Sequence, residues 1–322
     1  MAENVPQRAR VRGALLGLAC GDALGAPFEG ERSVNATDAA AWAAAVAPLR
    51  VTDDTVLALV LAEHLADRGG QVDQDELVLA FARAWSADPG RGYGGAVQGL
   101  FARVIEGTAW REASGSQFGG AGSLGNGAAM RVAPAGVAAT DLNRVADLAR
   151  RSAAVTHAHP LGQDGAAVQA CAVTLAAAST PGTPVNRVAW CRRLAATAST
   201  SGYATALNRV AGFTAATVPN NVAAAVGNGV EALQAVPAAL AAFFAHPDRP
   251  RAAIQFAIQL GGDTDTIAAM TGALAGARCG ASALPPPWLQ RLEFADRLVS
   301  AAERLAETAA ADRPGSGDTG GR

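Results

Sequence analysis

The apolar residues of this chain recur at three- and four-residue spacing, and nowhere do they alternate over a sustained stretch as strand residues do. Apolar positions at i, i+3 and i+4 indicate helices that bury one face. The pattern predicts helices at 56–68, 74–85, 142–156, 165–178, 188–198, 237–245, 251–260 and 289–307. A further helix is predicted to start near Thr266, and its small residues at 268–276 indicate close contact with neighbouring backbones. The sequence therefore predicts an all-α protein.

Glycine-rich loops at 92–95, 115–127 and 227–229 interrupt the helical pattern. No internal repeat and no linker divides the chain, so residues 1–308 are predicted to form one compact domain, an orthogonal bundle of helices. Residues 309–322 lack apolar periodicity, and we expect them to form a disordered tail.

Composition and charge exclude several classes of protein. Half of the 322 residues are hydrophobic and 17% are charged, which is enough for a large core and excludes a disordered chain. The net charge of −2 provides no attraction to nucleic acid or to anionic membranes. An apolar stretch at 13–26 follows three arginines, but Asp22 interrupts it and it is too short to span a bilayer. A soluble monomer is expected.

The four cysteines are scattered along the chain, at Cys20, Cys171, Cys191 and Cys279. A disulfide framework or a structural zinc site requires closer spacing. Buried free thiols in the reducing cytoplasm are therefore the expected state.

Two acidic clusters stand far apart in the sequence, and each precedes a predicted helix. The first is Thr52-Asp53-Asp54-Thr55, directly before the helix predicted at 56–68. Aspartate and threonine are common at helix N-termini, so capping alone would explain one acid there. Two adjacent carboxylates repel each other, and a bound cation would relieve that repulsion. The pair therefore favours a metal site, with plain capping as the alternative.

The second cluster is GGDTDT at 261–266, in which Asp263 and Asp265 alternate and point the same way in an extended or turn conformation. Its two glycines permit close approach of the backbone. Together the clusters supply carboxylates and hydroxyls, the oxygen ligands that Mg²⁺ and Mn²⁺ prefer. Zinc is disfavoured without paired histidine or cysteine ligands. We therefore expect two Mg²⁺ ions, or Mn²⁺, at helix N-termini and loops where the clusters meet.

The glycine-rich segment at 118–131 could bind phosphate through its exposed backbone N–H groups, although a surface loop is the usual explanation of such a segment. Asn126, Met130 and Arg131 add chemistry that a linker does not need. His157 lies at the end of a predicted helix, and both a structural role and contact with a ligand remain open.

Five motifs in a fixed order carry a resemblance to a known family. They are GALLGLACGDALGAPFEG at 13–30, TDDT at 52–55, GNGAAMR at 125–131, THAHP at 156–160 and GGDTDTIA at 261–268. The set resembles the ADP-ribosylglycohydrolases, which remove ADP-ribose from proteins or small molecules. The segments at 88–97, 117–133, 161–170 and 226–240 are more similar to the branch that cleaves serine-linked ADP-ribose and poly(ADP-ribose) than to the arginine-directed branch.

The resemblance implies roles for the acidic residues. The six that would bind the two metal ions are Thr52, Asp53, Asp54, Asp263, Asp265 and Thr266. Asp53 and Asp54 would thereby belong to the catalytic machinery. Glu29 matches a family glutamate that orients or deprotonates the attacking water, whereas the sequence alone indicates only an exposed loop acid.

The resemblance also implies how the substrate is bound. The diphosphate and distal ribose would lie against Gly119, Gly122, Ser123, Gly125 and Asn126. His157 would contact the same ADP-ribose, Phe118 would lie against the adenine, and Val230 would supply a further apolar wall. The serine-directed branch has an aromatic residue at the position of Leu124, and leucine loses a stacking contact worth about 0.5–1.5 kcal/mol. Two alternatives follow: weaker binding of adenine, or a different physiological ligand.

The expected function is Mg²⁺-dependent hydrolysis that releases ADP-ribose from a serine-linked protein or from poly(ADP-ribose). No Ser-His-Asp or Cys-His arrangement competes with this mechanism. Three alternatives remain: a catalytically silent ADP-ribose-binding protein, a hydrolase of arginine-linked or O-acyl-ADP-ribose, and a metal hydrolase acting on another nucleotide or phosphate ester. Intact acidic clusters and Glu29 argue against the silent protein.

Overall fold

The computed structural model describes residues 5–214 and 216–311, and within these ranges it contains helices and no strands. The all-α prediction is confirmed. The α-helices, in chain order, are α1 (Gln7–Gly25), α2 (Ala36–Ala44), α3 (Asp53–Asp67), α4 (Gln74–Ala87), α5 (Gly95–Ile105), α6 (Trp110–Gly115), α7 (Ala133–Ala138), α8 (Leu142–Ala154), α9 (Pro160–Ala178), α10 (Arg187–Ala195), α11 (Ser201–Ala211), α12 (Pro219–Val226), α13 (Ala232–Ala245), α14 (Pro250–Gln259), α15 (Thr264–Cys279), α16 (Pro286–Arg291) and α17 (Ala295–Ala311). None of the described helices is both long and apolar enough to cross a membrane.

The core is organised around α1 and α15, which run antiparallel in direct contact. Every residue of α15 is buried, and so is almost every residue of α1 from Arg10 onward. A helix that is covered on all sides has no polar stripe, so it lacks the spacing that predicts the other helices. For this reason the sequence pattern shows α1 only as an apolar stretch interrupted by Asp22.

Glycines let these two backbones touch. A β-carbon on Gly17 would lie 2.2 Å from the carbonyl oxygen of Gly272, and one on Gly276 would lie 1.9 Å from that of Gly13. The close approach predicted for 268–276 is thereby confirmed. The contact places the C-terminal end of α1 beside the N-terminus of α15, where the second acidic cluster lies.

Replacing Gly17 with alanine is expected to lower the free energy of unfolding by about 3 kcal/mol, because the new β-carbon meets backbone that cannot rotate away. Denaturant unfolding monitored by circular dichroism measures the change. Gly99→Ala is the matched control, since Gly99 lies inside α5 and, apart from the backbone of its own helix and its chain neighbours, no described atom lies within 4 Å of its β-position. That control is expected to gain about 0.4–1 kcal/mol. Equal stability of the two variants would contradict the close contact.

The helices predicted from apolar spacing are confirmed for α3, α4, α8, α9, α10, α13 and α14, with displaced ends. The single helix predicted at 289–307 is wrong, because the chain breaks between α16 and α17. There the backbone of Leu49 donates to the carbonyl of Arg291 (3.0 Å), and Glu293 donates to the carbonyl of Leu49 (3.0 Å). Phe294 follows in a left-handed conformation, at φ 59°. A contact with a distant segment therefore replaces one helical turn.

A disordered tail was predicted for residues 309–322, but residues 309–311 are helical and form the end of α17. Residues 312–322 lie outside the described residues. The glycine-rich segments at 92–95 and 227–229 lie between helices, as predicted, apart from Gly95, which opens α5.

Candidate active site

The two acidic clusters meet at a cavity of about 430 Å³ that opens beside the N-termini of α3 and α15. Of the residues singled out from the sequence, those that line it are Glu29, Asp53, Asp54, Phe118, Ser123, Gly125, Asn126, Met130, Arg131, His157, Val230, Asp263, Asp265 and Thr266. Four others lie nearby in the chain without lining it, namely Thr52, Gly119, Gly122 and Leu124. The fold thus brings together segments that are more than 200 residues apart.

Asp22 of α1 fixes the first acidic cluster. Its carboxylate is fully buried and accepts hydrogen bonds from the backbone N–H and hydroxyl of Thr52 and from the same two groups of Thr55. Thr52 is the N-cap of α3, since its Oγ1 accepts the N–H of Asp54 at 3.3 Å. The helix therefore begins one turn earlier than predicted, and Asp53 and Asp54 occupy its first turn rather than its cap.

The second cluster is held against the segment that carries Glu29. Gly30 donates its N–H to the carbonyl of Gly262 (2.9 Å), and Gly262 donates to the carbonyl of Glu31 (2.7 Å). This pairing brings carboxylate oxygens of Glu29, Asp263 and Asp265 within 4.8 Å of one another.

Asp263 also forms a hydrogen bond with the glycine-rich segment at 118–131, which is called the glycine-rich loop below. Its Oδ2 accepts a hydrogen bond from Nδ2 of Asn126 at 2.5 Å, and its N–H donates to the carbonyl of Asn228 at 2.9 Å. Asn126 therefore links the loop that was predicted to bind phosphate to the acidic cluster.

Four carboxyl groups of the site resist ionisation, namely those of Glu29, Asp53, Asp54 and Asp265. Burial, followed by the charge of Asp22, raises the pKa of Asp53 to about 7. Burial and the charge of Asp263 raise the pKa of Asp265 to about 9. Asp54 is only 2% exposed, and its pKa lies well above the usual value because of burial and repulsion by Asp265. Burial and Asp263 also raise the pKa of Glu29.

These residues fit a divalent cation. Oδ2 of Asp54 is buried and has no hydrogen-bond partner among the described residues. A buried carboxylate oxygen without a partner is strongly disfavoured, and a hard cation is the partner that an all-oxygen site prefers. Because the pKa values of Asp53, Asp54 and Asp265 are raised, a bound cation would displace protons from these carboxyl groups.

The glycine-rich loop pairs with the segment before α13. Asn126 donates its N–H to the carbonyl of Val230 (2.9 Å), and Ala232 donates to the carbonyl of Leu124 (3.1 Å). Phe118 and Val230 line the cavity and remain 64% and 66% exposed. Two exposed apolar side chains thus line the same cavity as the carboxylates, where a planar apolar group could bind.

Arg91 connects the first cluster to the break between α16 and α17. Its guanidinium donates to both carboxylate oxygens of Glu293, at 2.6 and 2.8 Å, and to the carbonyl of Val51 at 3.1 Å. Its own carbonyl accepts the N–H of Asp53 at 2.8 Å. The break between α16 and α17 therefore places Glu293 beside Arg91. Through Arg91, Glu293 helps to hold Asp53 of the first acidic cluster.

Asp22, Arg91 and Glu293 were not identified as site residues from the sequence. Asp22 could have been found from the sequence, because it is the lone acid inside an apolar stretch and a buried acid needs a partner. Arg91 and Glu293 are ordinary charged residues in the sequence, and only the fold shows that they meet.

Comparisons with known proteins identify the family of this chain. Residues 3–315 match the family described as ADP-ribosylglycohydrolase. ADP-ribosylhydrolase ARH3 of Gallus gallus is 33% identical over 95% of this chain and 95% of its own length. The protein of the same name in Homo sapiens is 32% identical over 88% and 89%.

A bacterial relative and a solved structure extend the likeness. The uncharacterized protein YegU of Escherichia coli is 30% identical over 90% of this chain and 93% of its own length. A solved structure named ADP-ribosylglycohydrolase-related protein complex has a TM-score of 0.69 at 28% identity, covering 94% of this chain and 99% of that one. The chain therefore belongs to the ADP-ribosylglycohydrolase family and is a hydrolase of glycosidic bonds.

Proposed function

We propose that this enzyme depends on two Mg²⁺ ions, with Mn²⁺ as the alternative, and releases ADP-ribose from serine-linked ADP-ribosylated protein or from poly(ADP-ribose). The observation that carries the proposal is the convergence of the carboxylates of Glu29, Asp263 and Asp265 within 4.8 Å. Asp54 lines the same cavity, and its Oδ2 has no hydrogen-bond partner in the part of the chain that the structure describes. The names of the vertebrate relatives support ADP-ribose as the group released.

The ions would be held by the six acidic-cluster residues, Thr52, Asp53, Asp54, Asp263, Asp265 and Thr266. Bound cations supply Lewis-acid polarisation of oxygen ligands and orient water. Hydrogen bonds from Thr52 to Asp22 and the N-cap of α3 hold the first acidic cluster in place. The backbone bonds of Gly262 with Gly30 and Glu31 hold the second. The resemblance supports these roles as ligands, and for Asp54 the buried Oδ2 supports it as well.

Glu29 would act as the general base. It is the one exposed member of its group of three carboxylates, so a water molecule can reach it from the cavity. Its raised pKa makes it a better proton acceptor than an ordinary glutamate. In the proposed step it takes a proton from the water that attacks the anomeric carbon, where oxocarbenium character develops. The bond from that carbon to the serine or ribose oxygen breaks, and the proton held by Glu29 then passes to the leaving oxygen.

ADP-ribose would lie along the glycine-rich loop. Phe118 and Val230 would hold the adenine at the opening, and Ser123, Gly125, Asn126 and His157 would contact the phosphates and ribose. Gly119 and Gly122, both with positive φ, would shape the loop from outside the cavity. Leu124 contributes its backbone to that shape, since its carbonyl accepts the N–H of Ala232.

We further propose that the enzyme works as a cytoplasmic monomer without direct nucleic-acid binding. All four cysteines are free and buried, as in proteins of reducing compartments. The net charge of −2 gives no general attraction to a polyanion.

Release of ADP-ribose from a panel of substrates tests the proposal. Serine-linked, arginine-linked, O-acyl-linked and poly(ADP-ribose) substrates are incubated with Mg²⁺, with Mn²⁺ and with EDTA. We expect metal-dependent release from the serine-linked or polymeric substrate. Release only from the arginine or acyl linkage would reassign the branch, and binding of ADP-ribose without any release would indicate a silent binder.

Replacing Glu293 with glutamine is expected to weaken Mg²⁺ binding by about tenfold, because it loosens Arg91, whose carbonyl orients Asp53. Isothermal titration calorimetry measures the affinity. Glu63→Gln is the matched control, since Glu63 forms a similar two-bond pair with Arg297, at 2.7 Å for each bond, that makes no contact with Asp53. Equal loss of affinity in both variants would show that Glu293 acts only through general stability.

A further inference from the structure

His157 lies in the wall of the cavity with its two ring nitrogens in different surroundings. The residue is 6% exposed, and Nδ1 lies 2.8 Å from the hydroxyl oxygen of Thr156. Nε2 is on the side of the glycine-rich loop, where a β-carbon on Gly127 would lie 3.4 Å away and one on Gly125 would lie 3.8 Å away. Among the described residues nothing forms a hydrogen bond with Nε2, so this nitrogen is free to form one with a ligand in the cavity.

Arg131 determines which hydrogen bonds Thr156 can make. Arg131 is 1% exposed, and Cζ of its guanidinium lies over the ring of Phe81, 4.6 Å from the ring centroid. Nη2 donates to Oγ1 of Thr156 at 2.7 Å, and Nη1 donates to the carbonyl of Gly127 at 2.8 Å. An arginine only donates, so the threonine oxygen is an acceptor in this contact.

The proton of the Thr156 hydroxyl has two acceptors within reach. One is the carbonyl of Ala153, at 3.4 Å, which already accepts the N–H groups of Thr156 (3.0 Å) and His157 (2.8 Å). The other is Nδ1 of His157, at 2.8 Å. A carbonyl oxygen has two lone pairs, and both are in use, so the hydroxyl donates to Nδ1.

The ring of His157 is neutral and holds one proton. Burial, followed by the charge of Arg131, lowers the pKa of His157 to about 3. Because Nδ1 accepts from Thr156, that proton resides on Nε2.

We propose that Arg131 and Thr156 are positioning residues that hold His157 in the Nε2–H form, so that the cavity presents an uncharged hydrogen-bond donor beside the glycine-rich loop. Resting on the proposed function, the acceptor is a diphosphate oxygen of ADP-ribose, since Nε2 borders Gly125 and Gly127. A lone pair at Nε2 would instead repel that oxygen.

The position of the proton is measured directly by ¹⁵N NMR of histidine-labelled, Mg²⁺-loaded protein, in which only four histidines contribute. We expect a protonated Nε2 and a bare, hydrogen-bonded Nδ1. In Thr156→Val the Nδ1 resonance is expected to move toward that of a nitrogen without a partner, and Thr156→Ser is expected to restore it. A proton on Nδ1 in the unsubstituted protein overturns the inference, whether or not the valine variant folds.

Binding separates positioning from a merely structural effect. Thr156→Val is expected to raise the dissociation constant of free ADP-ribose about tenfold, and to add nothing when His157 is already alanine. The same loss in both backgrounds would contradict action through His157. If ADP-ribose does not bind the unsubstituted protein, the proposed function fails, while the NMR spectrum still decides the position of the proton.

Discussion

The Asp54→Asn variant is expected to lose Mg²⁺ binding and turnover, yet to be more stable than the unsubstituted protein when both are free of metal. Asp54 is 2% exposed, and among the described residues one of its oxygens has no hydrogen-bond partner. An amide lacks the charge that draws a hard cation, so the dissociation constant for Mg²⁺ should rise by more than about 100-fold, beyond the effect of losing a group that only supports a ligand. In EDTA at neutral pH the buried Asp54 has to take up a proton to become neutral, whereas the amide is neutral already, so the free energy of unfolding should rise by about 1–3 kcal/mol.

The pH dependence of stability provides a second measure of the same variant. The pKa of Asp54 is raised in the folded protein, above an unfolded value of about 3.9. Between the two values the folded protein holds more protons than the unfolded chain, so stability falls as pH rises above about 4. In EDTA the melting temperature of the unsubstituted protein is therefore expected to fall from pH 5 to pH 8, and that of Asp54→Asn is expected to fall less.

Asp38→Asn is the matched control, because Asp38 lies exposed in the first turn of α2. It should change stability by at most about 1 kcal/mol through the helix dipole and leave Mg²⁺ binding unchanged. Binding of Mg²⁺ by Asp54→Asn with unchanged affinity would show that Asp54 is not a ligand.

The sequence predicted the helices that bury one face, and it missed the features that depend on distant contacts. Spacing identifies α4 and α8, whose polar faces are exposed, but not α1, which is buried on all sides. The break before α17 depends on backbone pairing of Glu293 with Leu49, for which the local sequence carries no pattern.

The candidate site divides in the same way. The two clusters containing Asp53 and Asp263 were expected to meet, and they line one cavity. Asp22 and Thr156, which orient the first cluster and His157, were not identified, because hydrogen bonds between remote buried groups leave no spacing to detect. Motifs identify residues that face a ligand more readily than residues that hold them in place.

Glu29→Gln is expected to lower kcat by about 10²–10⁴-fold while free ADP-ribose still binds. Glutamine keeps the size of the side chain and cannot take a proton from water at neutral pH. The main-chain bonds that hold this segment, from Gly30 to Gly262 and from Gly262 to Glu31, do not involve the Glu29 side chain, so the cavity should keep its shape. Single-turnover kinetics measures the chemical step, and the thermal shift produced by ADP-ribose measures binding.

Glu31→Gln tests whether the effect belongs to the position or to the segment. Glu31 lies two residues away on the same exposed segment, and it contributes its backbone carbonyl, which the substitution retains. Its turnover should match that of the unsubstituted enzyme. If both variants lost turnover equally, a change in the charge of the segment would be responsible. If Glu29→Gln lost ADP-ribose binding while turning over bound substrate normally, Glu29 would be a binding group and the base would have to be another residue, because proton transfer from water must slow when its acceptor is removed.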